Sequence, residues 1–481
     1  MIAIVDYGMG NLSSVAKAFE SLNVEASVTS DAGVIRRAER IVLPGVGAFG
    51  EGMKHLERLG LRPVLEEAVR VQRKPFLGIC LGMQLMAKDS QEHGHHQGLG
   101  WIDGTVQPFA ARHRDVTSLH IGWAPVSPRP ADPLFANLGA APQFYFVHGY
   151  HLACRSDRAV SAYAVHGDRF TAAIRQDNLL GVQFHPEKSQ ETGLGLLRNF
   201  VRWNPADTRT ATSEWTDGVV CPAANIRLIP TLLLHRGRMV KTVRFQLIGD
   251  GLRRDVGDPV KAPMVYDAQL ADELVYLDIR ATVEERRIFD LQKAIASISG
   301  QVFMPLTVGG GISTPDEIRI LLQSGADKVA INSAAVARPA FITEAARHFG
   351  NQCIVVSIDV RRNTAGRDEV YTRSGTQPTG LDPVVWAQQA EAAGSGEILL
   401  TSIDRDGTMQ GYDLELIRRV ASAVHVPVIA SGGAGTTQDL VSVMQEGGAS
   451  AAAAASLFHF RDVSPIKAKS ALRRAGLLVR Q

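Results

Sequence analysis

Cys80 sits at the centre of Gly78-Ile79-Cys80-Leu81-Gly82, an apolar run that ends in a cysteine with a glycine two residues away on either side, and a helical pattern follows it. A strand that turns this sharply into a helix holds its central residue in a strained backbone conformation that only small neighbours accommodate, and the helix N-terminus favours a thiolate. The chemistry expected is nucleophilic attack on a carbonyl carbon. Such a nucleophile needs a base. Gly181-Val182-Gln183-Phe184-His185-Pro186-Glu187 is an apolar strand that ends in a histidine, with a carboxylate two residues on. Cys80, His185 and Glu187 are therefore expected to form a triad, in which His185 takes the thiol proton and Glu187 orients the ring and stabilises its cation. The tetrahedral intermediate requires N–H donors, and the glycine-rich strand exit at Gly45, Val46 and Gly47 suits that role.

The second half of the chain carries a different pattern, an internal echo. Leu306-Thr307-Val308-Gly309-Gly310-Gly311-Ile312 recurs as Val428-Ile429-Ala430-Ser431-Gly432-Gly433-Ala434-Gly435, and Leu277-Asp278-Ile279 recurs as Ser402-Ile403-Asp404. Two related half-barrels are implied, each with its own glycine-rich turn. Paired phosphate sites follow, because strand-end glycines expose backbone N–H groups to an anion.

These residues need elements to position them. Over the first 200 residues, apolar strands at 2–5, 40–43, 76–78, 144–147, 171–175 and 180–184 alternate with helical segments, which predicts an open α/β sheet with helices on its faces over residues 1–203. A polar, aperiodic tract opens a linker at 204–225. From 226 to 481 the alternation restarts for about 255 residues, the usual length of a closed (β/α)8 barrel. Eight strands are expected there, at 227–234, 273–278, 302–308, 328–331, 354–359, 397–402, 426–430 and 451–455.

The whole chain has 481 residues, 45% of them hydrophobic, and a net charge of +2. Length and apolar content fit two or three domains, and the balanced charge speaks against nucleic-acid or membrane partners. Its four cysteines lie far apart without metal-like spacing, so no disulfide framework, metal site or cofactor is expected. The N-terminus runs straight into a strand pattern and no stretch approaches the roughly 20 apolar residues of a membrane span, so a cytoplasmic location is expected.

The elbow, the His-Pro-Glu strand end and the glycine-rich exit, in this order, resemble the class I glutamine amidotransferases. Asp6-Tyr7-Gly8-Met9-Gly10-Asn11, Gly98-Leu99-Gly100-Trp101, His120-Ile121-Gly122-Trp123 and Phe146-Val147-His148-Gly149-Tyr150 resemble the glutaminase subunit of imidazole glycerol phosphate synthases, with Gly149 where that family has serine. The resemblance implies glutamine as substrate, a glutamyl thioester on Cys80, release of ammonia, and Gln84 as a holder of the glutamine. Residues 226–476 resemble the cyclase subunit of the same synthases, above all in 307–312, 326–333, 397–408 and 455–460. Ammonia is then expected to pass along the barrel to a bis-phosphorylated ribulosyl aminoimidazole carboxamide nucleotide, giving imidazole glycerol phosphate and the aminoimidazole nucleotide of histidine biosynthesis.

Residue by residue, the resemblance implies phosphate binding at Gly310, Asn332 and Ser333 at one end and at Gly407, Gly433, Ala455 and Ser456 at the other. It implies an ammonia gate of Arg227, Glu273, Lys328 and Glu397. The family uses two strand-end aspartates for proton transfer. One is present as Asp406. The other falls in the first barrel strand, where Pro230-Thr231-Leu232-Leu233-Leu234 puts Leu233 in the carboxylate's place. Asp359, Lys241 in the first loop and Asp278 remain as candidates. The stretch 246–256 is also longer than the family's loop. In the Leu233 change and in 235–243, which reads as a stretched Lys-bearing loop, the barrel resembles the divergent paralogues that supply ammonia to a sugar amidotransferase in surface-polysaccharide pathways. A third reading makes the barrel a non-catalytic gate for the glutaminase.

Overall fold

The computed structural model describes residues 1–109, 117–206, 226–247, 256–285 and 288–480. Most of the expected linker (207–225) and of the lengthened loop (248–255) lies outside the described residues. The chain divides into two compact units, Met1–Ala224 and Asn225–Gln481.

The first unit is built on an eight-stranded sheet that runs, edge to edge, through Ala26–Thr29, Ile2–Val5, Arg40–Gly45, Phe76–Cys80, Leu179–Val182, Asp168–Gln176, Val160–His166 and Ser127–Pro128. The first five are mutually parallel and the rest antiparallel. The central parallel strands are apolar at nearly every position because helices cover both faces: all of Ile2–Val5 and Phe76–Cys80 is buried. The first helix, Leu12–Ser21, starts where the Asn11 side chain accepts a hydrogen bond from Ser14 N at 3.1 Å. The strand expected at 180–184 ends earlier, at Val182. The chain then leaves the sheet, and His185 N donates to Tyr145 O in the neighbouring hairpin strand Gln143–His148.

The second unit is a closed barrel of eight parallel strands: β1 (Arg227–His235), β2 (Leu274–Asp278), β3 (Leu306–Gly309), β4 (Lys328–Ile331), β5 (Ile354–Arg362), β6 (Glu397–Ser402), β7 (Val428–Ser431) and β8 (Ala451–Ala454). Closure is complete, since β1 pairs with both β2 and β8 and β4 pairs with β5. Ile229, Val275, Val355, Leu399, Ile429 and Ala453 fill the interior as one buried cluster, so the barrel is a packed core. Strands β3 and β7 begin later than expected, after Pro305 and Pro427, because proline lacks the N–H that the ladder requires. The half-barrel echo persists in the helix starts. The helix after β3 opens with a Thr314/Glu317 capping box and the helix after β7 with a Thr436/Asp439 box. No helix of the described residues is long and apolar enough to cross a membrane.

The ends of the barrel chain are tied together. Ile226 bridges to Val479, Arg480 donates to the carbonyls of Leu270 and Ala271, and buried Asp272 holds both Lys469 Nζ (2.5 Å) and Arg480 Nε (3.1 Å). Burial pulls the Lys469 pKa down to about 8, and Asp272 works against that shift. Replacing Asp272 by alanine leaves two buried cations without their counter-charge, which is expected to cost about 3–5 kcal/mol. The urea-unfolding midpoint of the Asp272→Ala chain checks this: the barrel transition should fall and the glutaminase transition should stay.

Candidate active site

The elbow is observed. Cys80, the last residue of the buried strand Phe76–Cys80 and the N-cap of the helix Leu81–Leu85, has φ +52° and ψ −108°, a strained conformation for a residue with a β-carbon. Gly82 is required, because a β-carbon there would lie 1.7 Å from the Leu43 carbonyl oxygen. At Gly78 one would lie 2.7 Å from the Gly82 backbone.

His185 and Glu187 stand beside it. His185 Nδ1 donates to Glu187 Oε1 at 2.7 Å, both side chains are buried, and His185 Nε2 has no hydrogen-bond partner among the described residues. Complete burial alone pulls the imidazolium pKa down, but the charges of Glu187 and of a Cys80 thiolate outweigh it and hold the pKa well above its usual value. A base held this way beside the sulfur is equipped to take the proton of the Cys80 thiol. Nearby His148 is its opposite: burial, followed by the neighbouring histidines, keeps it neutral. The Gly45–Val46–Gly47 exit lies across from the elbow, with Gly45 paired in register with Cys80.

Two residues outside the expected site set join the centre. Gln183 Nε2 reaches Cys80 Sγ at 3.6 Å, and Gln84 Nε2 donates to Gln183 Oε1 (3.1 Å) and to Tyr150 O (2.8 Å). Gln84 thus orients Gln183 against the sulfur. Glu92 accepts from Phe49 N at 2.6 Å, at the start of the helix that follows the glycine-rich exit, and burial raises its pKa to about 7. Gln183 lies inside the strand-end motif itself, whereas nothing in the local sequence marks Glu92, whose role depends on a fold contact 43 residues away.

In the barrel, Arg227, Glu273, Lys328 and Glu397 close a ring at the starts of β1, β2, β4 and β6. Arg227 contacts Glu273 (2.8 Å) and Glu397 (2.7 Å), Lys328 contacts Glu273 (2.7 Å) and Glu397 (2.5 Å), and all four side chains are fully buried. Burial alone raises the Glu273 pKa, but Arg227 and Lys328 reverse this and bring it to about 2. Each basic side chain thus contacts both carboxylates, and the four form one mutually bonded buried set.

The opposite end holds a cavity of about 670 Å³. Gly310, Asn332 and Ser333 line one side; Gly407, Gly433, Ala455 and Ser456 line the other; Asp278, Asp359, Asp406 and Leu233 lie between. Asn332 Nδ2 donates to Asp359 Oδ2 at 2.8 Å, while the Ser333 hydroxyl accepts from Arg373 N at 3.0 Å. Burial, helped by the Asp406 charge, raises the Asp359 pKa to about 7. Asp406, also raised by burial, accepts from Thr242 Oγ1 (2.7 Å) and Phe245 N (3.2 Å) of the first loop. Lys241 is not among the cavity's lining residues, and its ammonium lies 4.4 Å from the Phe460 ring centroid.

A cysteine–histidine–glutamate elbow on an open α/β sheet, followed in one chain by a closed barrel with twin glycine-rich turns, defines an enzyme: a class I glutamine amidotransferase fused to a cyclase-like barrel. The comparisons agree. Residues 3–203 match the family "Glutamine amidotransferase class-I" and residues 227–464 match the family "Histidine biosynthesis protein". The imidazole glycerol phosphate synthase subunit HisF of Alkaliphilus metalliredigens (strain QYMF) is 50% identical over 255 residues, which cover 53% of this chain and 98% of that protein. The chain belongs to this histidine-biosynthesis family through its barrel, with a class I amidotransferase unit ahead of it.

Because the charge of Glu187 offsets the burial of His185, Glu187→Gln should let the imidazole pKa fall and weaken His185 as the base that takes the Cys80 proton. Glutaminase turnover is expected to drop by about 10²- to 10⁴-fold. The rate of Cys80 alkylation by iodoacetamide at pH 7 should fall with it.

Proposed function

We propose that the chain hydrolyses glutamine at Cys80 and uses the ammonia in its own barrel, in an imidazole glycerol phosphate synthase-type reaction on a bis-phosphorylated ribulosyl aminoimidazole carboxamide nucleotide. The observation that carries this reading is the cavity, which both glycine-rich turns line together with Asp359 and Asp406. A ligand with a phosphate at each end would span the turns and present its middle to the two acids. Asp359, with a pKa of about 7, is suited both to give and to take a proton near neutrality. The buried ring at the strand starts fits a polar gate for ammonia, and the buried Thr231 and Thr307 hydroxyls, which have no partners among the described residues, offer it hydrogen bonds further in.

A second reading is favoured by one observation. Leu233 lines the cavity where the family places a carboxylate, and it can neither donate nor accept a proton. Ammonia would then leave for another acceptor, such as a sugar amidotransferase.

The purified chain given the nucleotide and ammonium chloride tests the barrel without the glutaminase. Formation of imidazole glycerol phosphate is expected, and nucleotide returned unchanged would overturn the first reading in favour of the second. If the nucleotide is inert, turnover gained on Leu233→Asp assigns the loss to that residue. In an active chain Asp359→Asn should lower the ammonium-dependent rate by about 10²- to 10⁴-fold. With Asp359 as the acid, the wild-type rate at constant free ammonia should decline as pH rises through about 7, where the carboxyl loses its proton.

A further inference from the structure

The glutaminase unit contains a buried donor that the triad does not use. Tyr7, just beyond the strand Ile2–Val5, is 0% exposed, and its hydroxyl has no hydrogen-bond partner among the described residues. Burying a hydroxyl without a partner is unfavourable, and native structures retain such groups chiefly where a function needs them. Its location suggests the function. A β-carbon on Gly45 would stand 2.1 Å from the Tyr7 oxygen and 3.0 Å from Leu81 Cβ. The absence of a side chain at Gly45 is thus what makes room for the hydroxyl beside the strand end, where Gly45 is paired with Cys80.

The residue is also held at its backbone. His55 Nδ1 donates to Tyr7 O at 2.9 Å, Asp6 N donates to Thr29 O at 2.9 Å, and Gly8 N donates to Asp6 Oδ1 at 3.0 Å. Burial, and secondarily the Cys80 thiolate, push the phenol pKa up, so the hydroxyl keeps its proton. A donor fixed in place, without a partner in the free enzyme and close to where charge develops, meets the requirement for preferential binding of a transition state.

We propose that Tyr7 is an additional oxyanion donor of the glutaminase centre, acting beside the backbone N–H groups of the glycine-rich exit and pairing with the carbonyl oxygen of glutamine as it gains charge under attack by Cys80. The proposal rests on the glutaminase activity and is independent of the fate of the ammonia.

Tyr7→Phe in the full chain tests it, since the substitution removes one oxygen that has no polar contact. Glutamine kcat is expected to fall about 10- to 100-fold with KM within about twofold. The rate of Cys80 alkylation by iodoacetamide, which passes through no oxyanion, should be unchanged across pH 5–9, as estimated from the same distinction between thiolate formation and oxyanion stabilisation. The thermal unfolding midpoint should hold or rise, and 3-fluorotyrosine at position 7 should restore turnover. A kcat within about twofold of the parent's overturns the proposal. So does a parallel loss of alkylation and turnover, which would place the effect on the thiol, and so does failure of 3-fluorotyrosine to restore turnover. An elbow that is inert even in the parent chain would instead refute the glutaminase reading.

Discussion

Gly82 packs against the Leu43 carbonyl of the neighbouring strand so closely that a β-carbon would stand 1.7 Å from its oxygen, and the elbow depends on that approach. The contact brings the helix start up to the strand end, forces Cys80 to φ +52°, and lifts its sulfur toward His185. The barrel repeats the device. A β-carbon would lie 2.3 Å from the Asp278 carbonyl oxygen at Gly310, 2.1 Å from that of Thr242 at Gly407, and 2.2 Å from that of Gly411 at Gly433. In both units the cost of a missing side chain is accepted where a turn must close on a neighbouring carbonyl.

Much of this was legible in the sequence because the signals are local. Glycines flanking an apolar strand end announce the elbow, and strands buried on both faces read as apolar runs. Where the reading slipped, a local rule was in competition with another. The segments 302–305 and 426–427 are apolar enough for a strand, but Pro305 and Pro427 cannot donate to the ladder. The hairpin Asp368–Thr372 with Gln377–Pro378, built onto the end of β5, was not anticipated, since two short strands in a barrel loop carry little periodicity. Tyr7, Glu92 and Gln183 matter through contacts formed only in the fold, and residue type alone does not distinguish them from core or surface positions.

The two ends of the barrel use electrostatics in opposite ways. At the strand starts, burial acts on four charges that complete one another, and the ring keeps Glu273 ionised down to about pH 2. At the strand ends, burial dominates, and Asp359 rises to about 7. The first arrangement resists titration, while the second is poised to exchange a proton near neutrality. This contrast argues that proton chemistry belongs to the cavity rather than to the ring.

Leu233 bears on that division. A carboxylate there would be a further acid facing the same cavity as Asp278, Asp359 and Asp406, and like charges in a buried site raise one another's pKa. With leucine in place that added repulsion is absent, and Asp406 is held by Thr242 and Phe245 of the first loop. The cavity thereby loses one proton carrier and gains a loop fastened to a remaining one. Whether that pair of aspartates suffices depends on Asp359, because it is the acid whose pKa of about 7 leaves it free to cycle while Asp406 is engaged by the loop. The synthase-type reading therefore places on Asp359 the proton transfer that the family divides between opposing strands.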